Sequence, residues 1–130
     1  DDREDLALIS PESDTLNVIV SIASSMRQEQ VYLTESHPTA IAAINFNNDT
    51  IDDLAILTCD GTLTVFLGQS IGLFDQDYLP FKMNTSIRGQ CAHSLKNADL
   101  NQDGKDDLVF IDPESERIRV ILGSSCDEEF

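Results

Sequence analysis

The sequence predicts an all-β protein made of repeated units of about four antiparallel strands, and three observations carry that reading. A skeleton of residues recurs along the chain. Short apolar runs rich in Leu, Ile and Val alternate with turn residues, as strands and their connections do. No stretch combines a helical apolar period with capping residues at its ends.

The recurrence is clearest between Glu4–Val20, "EDLALISPESDTLNVIV", and Asp106–Leu122, "DDLVFIDPESERIRVIL", which align at an offset of 102 positions. Both read acid-Asp-Leu, then Ile-x-Pro-Glu-Ser, then a β-branched run. Between them Asp52–Gly68, "DDLAILTCDGTLTVFLG", has the same opening and a shorter turn. With Asp5, Asp53 and Asp107 as equivalent positions, the steps are 48 and 54 residues. A four-stranded unit with a period near fifty suggests the blades of a β-propeller.

The elements follow in order, with the strands of a unit called a to d. The first unit, residues 1–36, opens inside an acidic segment and lacks strand a. Its strand b is "LALIS", the turn Pro11-Glu12-Ser13 uses proline to fix the corner, and "LNVIVSI" and "EQVYLT" are c and d. The second unit, residues 37–86, is complete: "TAIAAINF", "LAILT", "LTVFLG" and "YLPFKM". Asp60-Gly61 predicts a type I′ hairpin turn, which needs positive φ at both central positions. The third unit, residues 87–130, has "CAHSLKNA", "LVFID" and "IRVILG", turns at Pro113-Glu114-Ser115, and lacks strand d. Together these make about two and a half blades in one repeat domain.

Charge narrows the partners. Twenty-four acidic residues face eight basic ones in 130, a net charge of -16. Such a chain is repelled by nucleic-acid phosphate and by anionic lipid and suits cations. No apolar run approaches the ~20 residues of a membrane span, so no membrane insertion is expected. The opening "DDREDL" is no signal-peptide n-region, and the chain reads as a mature segment or a piece of something longer. Asn48-Asp49-Thr50 and Asn84-Thr85-Ser86 are candidate N-glycosylation sequons. With the acidity, they point to a secreted or cell-surface protein.

The stretch "NADLNQDGKDDLVF", Asn97 to Phe110, concentrates the chemistry. Asp99, Asn101 and Asp103 alternate, so their side-chain oxygens can converge on one hard cation such as Ca²⁺. Gly104 supplies the positive φ that folds the loop, Lys105 offers its carbonyl and Asp107 closes the set. An EF-hand is excluded, because its twelfth position needs a bidentate Glu and Phe110 stands there, and because "LVF" begins a strand. The second unit repeats the ladder as Asn45, Asn47, Asp49, the Ile51 carbonyl and Asp53, with less charge. The first keeps Asp1, the Arg3 carbonyl and Asp5. The alternative is a solvated acidic turn, which explains one loop but not the same ladder in two units.

"DLNQDGKDDL", Asp99 to Leu108, resembles the calcium loop of the FG-GAP or VCBS repeat family, whose members include the β-propeller head of integrin α chains. "LGQSIGLF", Leu67 to Phe74, is similar to the Gly-x-Gly-x-Phe stretch of those repeats. The resemblance covers nearly the whole chain. It implies Ca²⁺ bound between strands a and b at one blade rim, through Asp99, Asn101, Asp103, Lys105 and Asp107. The second loop departs from the pattern, with Asn45 for the first Asp and Thr50 for Gly.

Three cysteines allow at most one internal disulfide. Cys59 ends strand b of the second unit and Cys91 begins strand a of the third. An a-to-d meander brings those ends to the same rim, so Cys59–Cys91 is the candidate pair and Cys126 the odd one. His37 and His93 lack the partners of a zinc or catalytic site, and the chain has no HExxH, CxxC or GxSxG. In the Asp52-Asp53 and Asp106-Asp107 pairs the second acid reads as a metal ligand and the first as a solvent-facing or ligand-supporting group, rather than the two together as glycosidase carboxylates.

The expected function is therefore non-enzymatic: an extracellular calcium-binding repeat module serving as a scaffold or an adhesion and assembly unit. Its partners are other copies or further blades of a longer chain. Unpaired strand edges invite such pairing, and a head-to-tail contact that does not close builds a filament. The alternative is a glycan-binding, lectin-like propeller or an accessory domain of a carbohydrate-active enzyme. With aromatics at 6% and no Trp, the stacking surface such a site needs is scarce.

Overall fold

The structure is a computed structural model, and it describes residues 3–69, 74–75, 81–85 and 91–123. Ten strands run in chain order: β1 (Leu6–Ser10), β2 (Thr15–Ala23), β3 (Met26–Leu33), β4 (Pro38–Ile44), β5 (Asp53–Thr58), β6 (Thr62–Phe66), β7 (Phe81–Asn84), β8 (Leu95–Ala98), β9 (Asp107–Asp112) and β10 (Arg117–Ile121). The protein is all-β, with no helix among the described residues. Three antiparallel sheets form, β1-β2-β3, β4-β5-β6-β7 and β8-β9-β10, each in sequence order. They are blade-like meanders, and none closes into a barrel.

The sheets stack, with the four-stranded one in the middle. Its strand β5 is buried along its whole length because it has a neighbour on each face. Leu54 and Ile56 point to the first sheet, where they pack with Leu16, Val18, Val20 and Tyr32. Ala55 and Leu57 point the other way, to Leu95, Leu108 and Phe110 of the third sheet. An unbroken apolar run such as "LAIL" is what a strand covered on both faces requires. Strands β2 and β9 bury only one face, so their residues alternate in burial.

Polar contacts fix the stacking. The Tyr32 hydroxyl accepts the Phe74 backbone N–H at 3.0 Å, and its ring meets Phe66 and Phe74 edge to face. Between the second and third sheets, Arg119 donates to the Thr85 carbonyl at 2.9 Å, and Thr39 donates to the Ala92 carbonyl at 2.5 Å.

Two turns recur with the same backbone. Asp14 and Glu116, which close the two Pro-Glu-Ser turns, both have φ of 54°. The Asp60-Gly61 turn differs from the type I′ expectation. Only Gly61 has positive φ, 86°, and its N–H donates to the Thr58 carbonyl at 3.0 Å. The connection is thus a three-residue loop, Cys59–Gly61, whose last residue takes the left-handed conformation. The Asp60 carboxylate is used for something else: it accepts the Thr58 hydroxyl at 2.5 Å and the Thr62 N–H at 3.0 Å.

Candidate metal-loop site

The two acidic loops join β4 to β5 and β8 to β9, at one end of their sheets. In the second of these the alternating side chains fold inward over one stretch of backbone. Asp99 accepts the Asp103 and Gly104 N–H groups at 3.0 and 2.9 Å, and Asn101 Oδ1 accepts the same Asp103 N–H at 3.2 Å. Asp103 in turn accepts the Lys105 N–H at 3.0 Å and the Asn101 amide at 3.1 Å. Gln102 and Gly104 have positive φ, 60° and 85°. Asx-type bonds of this kind hold short polar side chains against their own loop.

In the loop between β4 and β5, Asn48 has φ of 58°, matching Gln102. Asp49 accepts the Ile51 N–H at 2.8 Å, and Asn45 donates its amide to the Asp49 carbonyl at 2.8 Å. Asn45 Oδ1 is buried and lacks a hydrogen-bond partner. Among the described residues, no three His, Cys, Asp or Glu side chains are gathered into one cluster. The loops instead alternate carboxylates with amide and carbonyl oxygens.

Asp53 and Asp107, the closing positions of the two ladders, are both fully buried at 0% exposure. Each is a two-armed anchor. Asp107 takes the Leu100 N–H on Oδ2 at 2.8 Å and the Gly123 N–H on Oδ1 at 2.7 Å. Asp53 takes the Phe46 N–H on Oδ2 and the Gly68 N–H on Oδ1, both at 2.8 Å. One arm holds the start of the acidic loop and the other the end of strand c. Burial pushes the Asp53 carboxyl above its ordinary range, opposed by these backbone bonds.

The glycines at the ends of β6 and β10 serve the same anchor. A Cβ on Gly68 would sit 2.1 Å from the Asp52 carbonyl oxygen, and one on Gly123 would sit 2.4 Å from that of Asp106. In the first sheet a serine stands there. Ser21 N–H donates to Asp5 Oδ1 at 2.9 Å, and its hydroxyl donates to the Glu4 carbonyl at 2.9 Å. The side chain thus bonds to the carbonyl that the glycines approach directly.

A link between units was missed in the sequence. Asp106 Oδ2 accepts the Asn45 N–H at 2.8 Å, so the third unit's loop grips the first residue of the second unit's loop. As the first acid of its pair, Asp106 reads from the sequence as a solvent-facing or ligand-supporting group, not as a contact to another unit. The available signal was the pairing of acids: Asp53 and Asp107 each follow another Asp.

Cys59 and Cys91 are joined in a disulfide, which ties the β5–β6 turn to the segment entering β8. The sequon asparagines Asn48 and Asn84 are exposed. Asp1, Cys126 and Ser86 of the second sequon lie outside the described residues. His37 is exposed, and its N–H donates to Asp14 at 2.6 Å. In class the molecule is an all-β stack of repeated blade-like sheets with acidic interstrand loops. No protein-family model matches the chain, and no curated protein matches it.

Proposed function

We propose that the chain is a non-enzymatic calcium-binding repeat module that acts outside the cell as a scaffold or assembly unit. The observation that carries this is the convergence of Asp99 and Asn101 on a single donor, the Asp103 N–H. Oxygens that share one small donor are close enough to share one cation, and each keeps lone pairs for it. Asp99, Asn101, Asp103, the Lys105 carbonyl and Asp107 would hold a Ca²⁺ ion, whose charge offsets their mutual repulsion. Asn45, Asn47, Asp49, the Ile51 carbonyl and Asp53 would form the weaker second site, and the orphaned Asn45 Oδ1 fits a cation ligand.

The disulfide and the exposed sequon asparagines support an oxidising, secretory setting. The outer faces of the end sheets support assembly. Leu6, Leu8 and Val31 are exposed on the first sheet, and Ile111, Ile118 and Val120 on the third. Apolar faces of this kind suit further blades or further copies.

Thermal unfolding with Ca²⁺ and with EDTA tests the calcium reading. Saturating Ca²⁺ at a hundredfold excess over its Kd adds about 2.7 kcal/mol of stability, and Asp99→Ala with Asp103→Ala removes most of that gain. Equal melting temperatures in both buffers overturn it.

A further inference from the structure

We propose that Asp103-Gly104 is a self-modifying site, where the loop converts its own Asp103 into an isoaspartyl residue with Asp99 as the general base. The chemistry needs an aspartyl carboxyl followed by the N–H of an unhindered residue, and glycine, with no Cβ, hinders least. The chain has two such pairs, Asp60-Gly61 and Asp103-Gly104. Their backbones match. Each aspartate accepts, through Oδ1 at 3.0 Å, the N–H of the residue two positions on, Thr62 or Lys105. Each glycine has positive φ, 86° and 85°. In both pairs an N–H donor therefore polarises the carboxyl that would be attacked.

The nucleophile is what differs. The Gly104 N–H donates to Asp99 Oδ2 at 2.9 Å. A carboxylate thus stands on the proton that must leave, at a distance suited to general-base transfer. The Gly61 N–H donates instead to the Thr58 carbonyl at 3.0 Å, which is no base. Gly61 is also buried, and its carbonyl accepts both the N–H and the hydroxyl of Thr85 at 2.8 Å. Its peptide cannot turn towards the Asp60 carboxyl without breaking these bonds. Gly104 is exposed, and a Cβ placed on it would meet nothing within 4 Å. Space is open for a five-membered ring and for the water that opens it.

Asp103 reacts in its acid form, after taking a proton from solvent. The Gly104 nitrogen gives its proton to Asp99 and bonds to Asp103 Cγ. A carboxyl oxygen leaves as water on the proton that Asp99 returns, and a succinimide remains. A second water adds to the main-chain carbonyl carbon of Asp103 and breaks its bond to the Gly104 nitrogen. The main chain then runs through Cγ, longer by one carbon, and the former main-chain carbonyl becomes the free carboxylate. That carboxylate hangs directly from Cα, so the bonds of Asp103 to the Lys105 N–H and the Asn101 amide are lost. The loop gives up one of its own ladder oxygens with age, whereas Asp60 is preserved.

This modification goes beyond the calcium reading and does not depend on it. The full chain is aged in EDTA, in Ca²⁺ and in urea. Fragmentation mass spectrometry of its peptides locates isoaspartate, and methyl transfer by an isoaspartyl methyltransferase measures it. In the folded chain in EDTA the gain is expected at Asp103 and not at Asp60; in urea both sites gain alike. Asp99→Asn keeps an acceptor for the Gly104 N–H but takes no proton, so it slows the folded-state gain at Asp103 by about tenfold or more and leaves the rate in urea unchanged. Unfolding of that variant would raise Asp60 as well, so the ratio of the two sites separates a lost base from a lost fold. Equal gain at both sites of the folded chain overturns the proposal. So does a folded-state rate that ignores Asp99→Asn, or gain at Asp103 in urea alone. Ca²⁺ drawn onto Asp99 and Asp103 slows the gain, and equal rates in Ca²⁺ and EDTA keep the modification site while discarding calcium at this loop.

Discussion

Asp106 Oδ2 accepts the backbone N–H of Asn45 at 2.8 Å, across 61 residues of sequence and between two sheets. The pair couples the two acidic loops, because Asn45 also opens the second ladder. Apolar packing between the sheets sets their distance, and this bond fixes how one loop sits against the next.

Asp106→Ala leaves a partly buried N–H without its acceptor. The expected loss is about 1–3 kcal/mol, read by urea unfolding with an unchanged m-value. Asp52→Ala is the internal control. It stands at the equivalent position, receives no donor among the described residues, and shifts stability by no more than about 0.5 kcal/mol. Equal effects from the two substitutions would show that the bond is not what Asp106 contributes.

The glycines after strand c separate steric from conformational cost. Gly68→Ala and Gly123→Ala each drive a methyl into a backbone carbonyl, which must move and pull on the buried Asp53 or Asp107. We expect about 3 kcal/mol or more from each, at the upper end for overpacking. Gly104→Ala meets open space but holds φ at 85°, so it costs about 1–2 kcal/mol. Equilibrium unfolding of the three variants gives the order directly. A Gly104 variant as damaged as the other two contradicts the steric account.

Strand order and sheet membership were legible because burial writes itself into spacing. The short apolar runs marked the strands and the Asp-Leu skeleton set the period, whereas the covering of β5 on both faces emerges only from the stacking of the sheets. Ligand-type residues in the loops were legible as an alternating ladder. The backbone anchoring by Asp53 and Asp107 was not, since an expected metal ligand and a backbone anchor call for the same kind of carboxylate. Asp60-Gly61 was over-read. The dipeptide signals a turn, but a two-residue loop and a three-residue loop ending in a left-handed glycine share it. The contact from Asp106 to Asn45 depends on how sheets stack, which no local pattern encodes. The close approach at Gly68 and Gly123 did leave a trace, the Leu-Gly that ends both runs.

The Cys59–Cys91 bond spans 32 residues and joins two sheets. Cross-linking at that separation restricts the unfolded chain and contributes about 3–4 kcal/mol in the chain-entropy description. Cys59→Ser with Cys91→Ser, or reduction, lowers the denaturant midpoint accordingly. Peptide mapping under non-reducing conditions checks the pairing, and a Cys126 partner for either residue contradicts it.

Three carboxylates give opposite pH signatures. The Thr58 hydroxyl, reinforced by the Thr62 N–H, holds Asp60 below the ordinary carboxylate range of about 3.8. The Ser115 side chain, with the Ser115 and Glu114 N–H groups and Arg119, does the same for Asp112. Asp53 lies above it because of burial. For the lowered pair the unfolded chain binds protons more readily than the folded one. Their stabilisation is complete above the unfolded value and drains away as pH falls through the folded values. Asp53 has the reverse sign: the folded state retains its proton longer, so its contribution declines as pH rises through its folded value. Carbon-detected NMR titration of the carboxyl groups checks all three, with Asp60 and Asp112 titrating below the ordinary range and Asp53 above it. Asp60→Asn reduces the stability lost on acidification below about pH 4, and an acid limb identical to the parent chain would remove Asp60 from the account.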